Sequence, residues 1–229
     1  TYYTLEFREG IWCKKCFDHR PKCQVCQVPM GDVAARLGDG REICAACFSS
    51  AVRGQKRIDK IADTLYVSIS ELLDRDFKRV NVRAVPMDML KQRLDEHGYR
   101  GLKESERVPN PDNFIRELGV FTVKDGKREI LILDELPEDL AWQTIAHEMA
   151  HAWQQEHYPD CTELVLVEGF AQWVAEQMAW KHHRRSGLEK LRKRTDLYGR
   201  GYRLMARMEE QGGHKLVFRA LKLNRLPYE

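Results

Sequence analysis

Apolar and polar positions along the 229-residue chain predict a small β-containing segment followed by a mainly helical region. Residues 2–7 alternate as in a strand, and residues 33–37 and 42–43 flank Gly38-Asp39-Gly40, a pattern typical of a β-hairpin. From about residue 45 to residue 77, apolar side chains recur at helical spacing, which predicts one long connecting helix.

The rest of the chain predicts an α+β domain in which helices dominate. The predicted strands are Val80–Val85, Glu117–Val123 and Arg128–Leu133. The predicted helices are Met87–His97, Glu138–Glu156, Glu163–His183 and Leu188–Gln211, with a short last helix after Gly212-Gly213. Residues 101–113 are polar, contain two prolines and predict a loop. We therefore expect a cysteine-rich module at 1–50, a connecting helix at 51–79 and a main domain at 80–229.

Charge and hydropathy exclude some classes of partner. No apolar run approaches the ~18–20 residues that a membrane helix needs, so no membrane partner is expected. The net charge is +3, but residues 181–225 carry 14 Lys and Arg against 4 Asp and Glu. Such a basic segment attracts nucleic acid or an acidic partner, but it is more often the solvated face of helices. No nucleic-acid motif accompanies it, so no nucleic-acid partner is expected.

Six of the seven cysteines form three Cys-x-x-Cys pairs. In a chain without a secretory signature such pairs favour zinc over disulfides and indicate a cytoplasmic protein. Cys23, Cys26, Cys44 and Cys47 form two pairs separated by 17 residues, which predicts one tetrahedral four-cysteine zinc site. Because four thiolates leave no open position, this site is expected to serve structure or docking and not hydrolysis.

The third pair, Cys13 and Cys16, has no obvious partner pair in this chain. A LIM module holds two zincs, and in such a module these cysteines would be the late ligands of a first site. Its early ligands would then precede Thr1, and we expect the chain to be a fragment. His19 is an alternative ligand, although a surface histidine is the simpler interpretation. Cys161 is expected to be a buried thiol.

The strongest chemical motif is His147-Glu148-Met149-Ala150-His151 within a helical, largely apolar stretch. Two histidines four residues apart lie on one face of a helix, where both imidazoles can reach one zinc ion. Glu148 lies beside that metal, close enough to accept a proton from a zinc-bound water. Since buried histidines without a partner are costly, the apolar flanks favour a zinc site over two surface histidines.

A third ligand is needed, and two candidates compete. His157 has the spacing of the metzincin pattern, but Gln154 occupies the position where that pattern needs glycine for a sharp turn. In a continuous helix His157 is rotated roughly 240° from His151 and points away. Glu168, on the next predicted helix, is favoured, which is the gluzincin arrangement. Weaker options are Asp160, Glu163 and Glu176.

Two histidines and one carboxylate leave a fourth zinc position open for water, as peptide hydrolysis requires. Glu148 would act as general base, and Tyr198 or Tyr202 would donate a hydrogen bond to the oxyanion. Each tyrosine is equally well explained as a core or helix-surface residue. The strand at residues 129–134 is expected to be an edge strand that pairs with an extended substrate, as in zinc peptidases; an ordinary core strand is the compatible alternative.

These motifs together resemble the plant LIM-domain zinc peptidases that restrict organ growth and are activated by ubiquitin. The resemblance covers about half the chain. Its specific parts are Gly38-Asp39-Gly40-Arg41 before the pair at 44–47, the stretch at 146–153, Val167-Glu168-Gly169 and Tyr198-Gly199-Arg200-Gly201. The resemblance implies that His147, His151 and Glu168 bind zinc. It also favours Tyr198 slightly over Tyr202 as the residue that donates to the oxyanion.

The chain also departs from that family. The ubiquitin-interacting motifs and the fuller LIM region of the plant proteins are not in this sequence, and histidine is usual where Cys13 stands. The compact chain is expected to be a prokaryotic relative, so ubiquitin activation is not carried over.

Three functions therefore remain open. The leading hypothesis is a gluzincin-like zinc peptidase that acts on protein or peptide substrates and carries a LIM-like module for docking a protein partner. A catalytically inert LIM-like adaptor is the second. The third is a DNA-associated metalloprotease, although in those proteins the zinc ribbon usually follows the catalytic domain, whereas here the cysteines precede it.

Overall fold

The cysteine-rich region is built from short elements. The computed structural model of the protein describes residues 2–5, 8–97, 118–184, 188 and 194–226. The elements of this region are β1 (Tyr2–Leu5), β2 (Arg8–Cys13), α1 (Lys14–His19), β3 (Ala35–Arg36), β4 (Glu42–Ile43) and α2 (Ala45–Ser49). Strands β1 and β2 pair antiparallel, as do β3 and β4 around the predicted Gly38-Asp39-Gly40 turn. The predicted hairpin is therefore confirmed, and the first strand is confirmed over residues 2–5, while residues 6 and 7 lie outside the described residues.

The predicted continuous helix from residue 45 to residue 77 is wrong. Helix α2 ends at Ser49, and α3 (Gln55–Leu73) begins after Gly54, whose φ of 81° is not helical. The chain leaves the helix here because the Val52 N–H donates to the Leu136 carbonyl, 2.8 Å away. Helix α3 ends at Asp74 in the left-handed region. The apolar spacing nevertheless gave the buried face of α3 correctly: Ile58, Ile61, Leu65, Ile69 and Leu73.

A three-stranded sheet follows α3 in the described part of the chain. Its strands are β5 (Asn81–Val85), β6 (Gly119–Lys124) and β7 (Lys127–Leu133), in the order β5-β7-β6. Strand β7 is parallel to β5 and antiparallel to β6. The interpretation of residues 129–134 as an edge strand is therefore wrong, because β7 is central. Helix α4 (Met87–His97) has the predicted bounds, while the loop predicted at 101–113 lies outside the described residues.

Three helices complete the fold: α5 (Glu138–His157), α6 (Leu164–Lys181) and α7 (Leu197–Leu223). Helix α6 packs between α5 and α7, and Trp153, Phe170 and Trp173 are fully buried there. Helix α7 begins at Leu197, where the Asp196 side chain caps it, and it is broken at Gly213 as predicted. Residues 189–193 of the helix predicted at Leu188–Gln211 lie outside the described residues. None of the described helices is both long and apolar enough to cross a membrane.

The cysteine-rich region is joined tightly to the helical domain. Arg41 Nε donates to Asp39 Oδ2 (2.7 Å), and Arg41 Nη2 donates to the Asp134 carbonyl after β7 (2.7 Å). The Met87 N–H at the start of α4 also donates to Asp39 Oδ2, at 3.3 Å. The two charged side chains are only 4% and 6% exposed. The side chains of Asp39 and Arg41 are therefore buried between the end of the sheet and the start of α4, whereas Gly38 and Gly40 of the same turn are exposed.

Candidate metal centre

Helix α5 brings the two motif histidines to one point. His147 and His151 lie one turn apart, and their Nε2 atoms are separated by 3.1 Å. Half of the residues of this helix are buried, most of them apolar. Its first turn carries Glu138 and Asp139, which suit the positive end of the helix dipole, and Arg184 pairs with both. The motif therefore lies on a rigid, buried element.

Glu168 on α6 completes a three-residue cluster. Its Oε2 is 3.3 Å from His147 Nε2 and 3.6 Å from His151 Nε2. Three ligand atoms on a tetrahedral zinc ion at ~2.0–2.1 Å would lie about 3.3–3.4 Å apart. The observed separations of 3.1, 3.3 and 3.6 Å bracket this value, so the three side chains could hold a zinc ion.

Electrostatic coupling within this cluster is strong. Burial alone would lower the pKa of the His151 imidazole, but the Glu168 carboxylate outweighs it and raises that pKa to about 9. Burial also opposes ionisation of Glu168, yet the charge of His151 and hydrogen bonds from both imidazoles hold the pKa of this carboxyl far below its usual range. Without a metal ion, the protonated His151 thus balances the charge of the Glu168 carboxylate, a role that a bound cation would otherwise fill.

The other proposed ligands lie apart from the cluster. His157 is at the end of α5, where its Nε2 is 2.9 Å from the Asp76 carbonyl. Asp160 is exposed, and the exposed Glu163 is the residue before the first turn of α6. Glu176 is buried, and Trp180 Nε1 lies 3.5 Å from its Oε1. The choice of Glu168 over these residues matches the geometry.

Glu148 is buried beside the histidines and is fixed by the main chain of β6. The Phe121 N–H donates to its Oε2 at 2.8 Å. Burial raises the pKa of the Glu148 carboxyl, and the two histidines oppose that effect. Gly119 leaves room for this side chain, because a Cβ there would lie 2.7 Å from Thr144 Cγ2 and 3.1 Å from Glu148 Cγ. Sequence reasoning missed Phe121 because its contact is made by a backbone amide.

Of the two candidate tyrosines, Tyr198 lies with its ring next to a histidine of the cluster. Its ring centroid is 6.2 Å from that of His147. Tyr202 is 6% exposed and belongs to the core. Helices α6 and α7 approach closely at this level, because a Cβ on Gly169 would lie 2.6 Å from the Gly201 carbonyl carbon. This close crossing places the start of α7 next to Glu168.

Four cysteines form a second possible metal site, as their spacing predicted. The ligand atoms of Cys23, Cys26, Cys44 and Cys47 all lie within 4.8 Å of one another. Cys26 Sγ and Cys44 Sγ are 3.7 Å apart, close to the ~3.8 Å expected for two sulfurs on a tetrahedral zinc at ~2.3 Å. The Cys44 N–H also points at Cys23 Sγ, 3.4 Å away, as in thiolate sites.

Hydrogen bonding among the four sulfurs lowers the pKa of two of the thiols and raises that of the other two. It lowers the pKa of the Cys23 thiol to about 6 through Cys26, and it lowers the pKa of Cys44 through Cys23. The same bonds raise the pKa of Cys26 and of Cys47, with Cys23 the largest cause for both. A bound cation would favour the thiolate form of all four.

The third cysteine pair stands outside this cluster. Cys13 is exposed at the start of α1, and its sulfur accepts from the Cys16 N–H at 3.5 Å. Neither cysteine, nor the exposed His19, belongs to a group of metal ligands among the described residues. The partly exposed Cys161 has its pKa raised to about 11 by burial.

Comparison with known proteins gives one distant similarity. The chain is 30% identical, over 186 residues, to Protein DA1-related 3 of Arabidopsis thaliana. The match covers 68% of this chain and 40% of that relative, so the chain spans less than half of the plant protein's length. No protein-family model matches the chain. No solved structure matches it either.

Proposed function

We propose that this protein is a zinc-dependent peptidase that hydrolyses peptide bonds in protein or peptide substrates. One observation carries the proposal: His147, His151 and Glu168 converge at the separations that a zinc ion requires, with Glu148 buried beside them. The distant similarity to a plant protein agrees with the plant peptidases that the motifs resemble. A prokaryotic source and a cytoplasmic location remain part of the proposal.

Each residue then has a distinct role. His147, His151 and Glu168 would hold the zinc ion, which supplies a Lewis acid for the scissile carbonyl and lowers the pKa of water. Glu148 accepts the proton of the attacking water and later delivers it to the leaving amine. Because the Phe121 N–H holds Glu148 Oε2, the carboxylate keeps one orientation and its other oxygen serves the proton transfer.

The edge of the sheet supports a peptide as substrate. The Leu118 carbonyl accepts a hydrogen bond from the Leu133 N–H of β7. In this antiparallel pair, every second residue of β6 therefore directs its backbone N–H and C=O groups at β7. The Phe121 carbonyl and both backbone groups of Val123 therefore face the other side, where no further strand is present in the described residues, while the Phe121 N–H on that side donates to Glu148. An extended peptide can add to such an edge beside Glu148, which favours peptides over other amides.

For the cysteine-rich module we propose one structural zinc held by Cys23, Cys26, Cys44 and Cys47, and a further role in docking a protein partner. Burial of Asp39 and Arg41 against the helical domain supports a structural role, because both side chains are bound within the chain. The pair at 13 and 16 would need ligands from outside the described residues to form another site.

The test compares the parent with Glu148→Gln and Glu168→Ala on a broad peptide library, with the zinc content measured in parallel. Glu148→Gln keeps the parent's zinc content and loses cleavage by at least ~10²-fold, as removal of a general base requires. Glu168→Ala contains one zinc fewer and is also inactive. Glu163→Ala, an exposed carboxylate at the start of α6, is the matched control and retains both properties.

Two results would refute the proposal. Cleavage by Glu148→Gln at the parent's rate would remove the general base from the mechanism. A parent that holds its zinc at the three-residue site and cleaves no member of the library would favour the inert adaptor.

A further inference from the structure

The phenol ring of Tyr198 lies between two features of the site that the proposed mechanism does not yet connect. Its centroid is 6.2 Å from the ring of His147, a distance typical of aromatic contacts. The guanidinium carbon of Arg194 lies over the same ring, 5.2 Å from its centroid, within the range of a cation–π contact. Arg194 is therefore linked to a candidate metal ligand through one tyrosine.

Arg194 is itself held firmly at the start of α7. Its Nε lies 3.1 Å and 3.0 Å from the two carboxylate oxygens of Asp196, and its Nη2 also donates to Asp196. Asp196 caps the helix by accepting from the Gly199 N–H at 3.1 Å. Arg203 Nη1, from the next turn, donates to the Arg194 carbonyl at 2.6 Å. The guanidinium thus has little freedom of its own.

The backbone at Gly199 shows how closely this turn folds onto the helix. A Cβ at Gly199 would lie 2.3 Å from the Arg194 carbonyl oxygen. Any side chain there would clash with that oxygen, so the turn requires glycine. The Gly169–Gly201 crossing then brings the same end of α7 against α6, beside Glu168. Two independent contacts therefore determine where the Tyr198 ring lies.

We propose that Arg194 is a positioning residue for Tyr198. Fixed on the cap of α7 by Asp196, its guanidinium holds the phenol ring beside His147. The hydroxyl can then donate to the substrate carbonyl oxygen as negative charge develops on it. The nearby cation also favours the polarised phenol that such a donor requires. This inference rests on the proposed peptidase function and assigns Arg194 a role in it.

The first test is a double-mutant cycle on the zinc-loaded enzyme. Tyr198→Phe lowers kcat on the order of 10²-fold, and Arg194→Ala lowers it on the order of 10-fold, both with KM little changed. The double variant is no slower than Tyr198→Phe alone, because Arg194 acts only through the hydroxyl. Arg194→Lys restores part of the loss, since it keeps the charge. Arg200→Ala, an exposed arginine of the same turn, behaves as the parent.

The second test does not depend on activity. With 3-fluorotyrosine incorporated, the resonance of Tyr198 is assigned by its loss in Tyr198→Phe. We expect one narrow ¹⁹F line in the parent and in Arg200→Ala, and a shifted or broadened line in Arg194→Ala.

An unchanged line in Arg194→Ala, or an undiminished effect of Arg194→Ala in the Tyr198→Phe background, overturns the proposal. A zinc-loaded parent without activity refutes the peptidase function instead, and the ¹⁹F line still decides whether Arg194 holds the ring.

Discussion

The buried ion pair between Asp39 and Arg41 should be one of the most sensitive points of the fold. Arg41→Ala removes the guanidinium and leaves the Asp39 carboxylate, only 6% exposed, without its charged partner. Two backbone donors remain for Asp39, the N–H groups of residue 41 (3.2 Å) and of Met87 (3.3 Å). The Asp134 carbonyl also loses its 2.7 Å bond to Arg41.

Breaking a buried pair on one side costs about 3–5 kcal/mol, because an uncompensated charge stays buried. The lost bond to Asp134 belongs to the same network, so the two effects do not simply add. We expect Arg41→Ala to lower the free energy of unfolding by about 4 kcal/mol, a large part of the ~5–15 kcal/mol typical of a domain. Urea unfolding of the zinc-loaded protein, followed by tryptophan fluorescence, measures this loss.

Arg36→Ala on the same hairpin is the matched control. Arg36 pairs with Glu42, but its side chain is 72% exposed, so its loss costs at most ~1 kcal/mol. The double variant Asp39→Asn with Arg41→Ala should recover part of the stability, because the buried charge is then gone. If Arg41→Ala were no more destabilising than Arg36→Ala, the Asp39–Arg41 pair would not be buried as described.

Three further predictions concern close approaches and a helix end. Gly169→Ala should lower the free energy of unfolding by ~1–3 kcal/mol and reduce cleavage, because the new Cβ would lie 2.6 Å from Gly201. The cost of this clash exceeds the ~1 kcal/mol that alanine gains in helix propensity. Denaturation and steady-state kinetics check both effects. Gly119→Ala should reduce kcat and leave the zinc content unchanged, because the new Cβ displaces Glu148. The control is Gly38→Ala, which has open space around the new Cβ and should change neither kcat nor the zinc content. Asn224→Ala should cost about 2 kcal/mol in urea unfolding, because Asn224 accepts from two N–H groups at the start of α6 and adopts a left-handed φ of 48°.

Local pattern predicted most elements of the fold, and it failed where contacts distant in sequence decide the outcome. The bounds of α4 and the β6–β7 hairpin follow from turn residues and periodicity within one segment. The break before α3 depends on the hydrogen bond between Val52 and Leu136, which no short window contains. The central place of β7 likewise depends on β5, which lies more than 40 residues earlier.

Some residues of the candidate site were predicted from local sequence motifs, and others depend on contacts that no motif shows. The spacing within α5 and the Glu168-Gly169 motif indicated side chains that the structure brings within 3.6 Å of one another. The amide of Phe121 and the guanidinium of Arg194 carry no comparable signal. The first acts through the backbone, and the second reaches Tyr198 by a turn whose geometry depends on Asp196 and Gly199.

Glycines stand beside the functional side chains of this site for a physical reason. Glu168 is followed by Gly169, Tyr198 is followed by Gly199, and Glu148 packs against Gly119. A glutamate spans only a short distance from its backbone, so a carboxylate reaches a shared point only if the backbones carrying the ligands approach closely. At Gly169 and Gly119 any larger residue would separate the elements or push the carboxylate aside. Substitutions at these glycines should therefore change activity through the positions of Glu148, Glu168 and Tyr198, although no glycine carries out any chemistry.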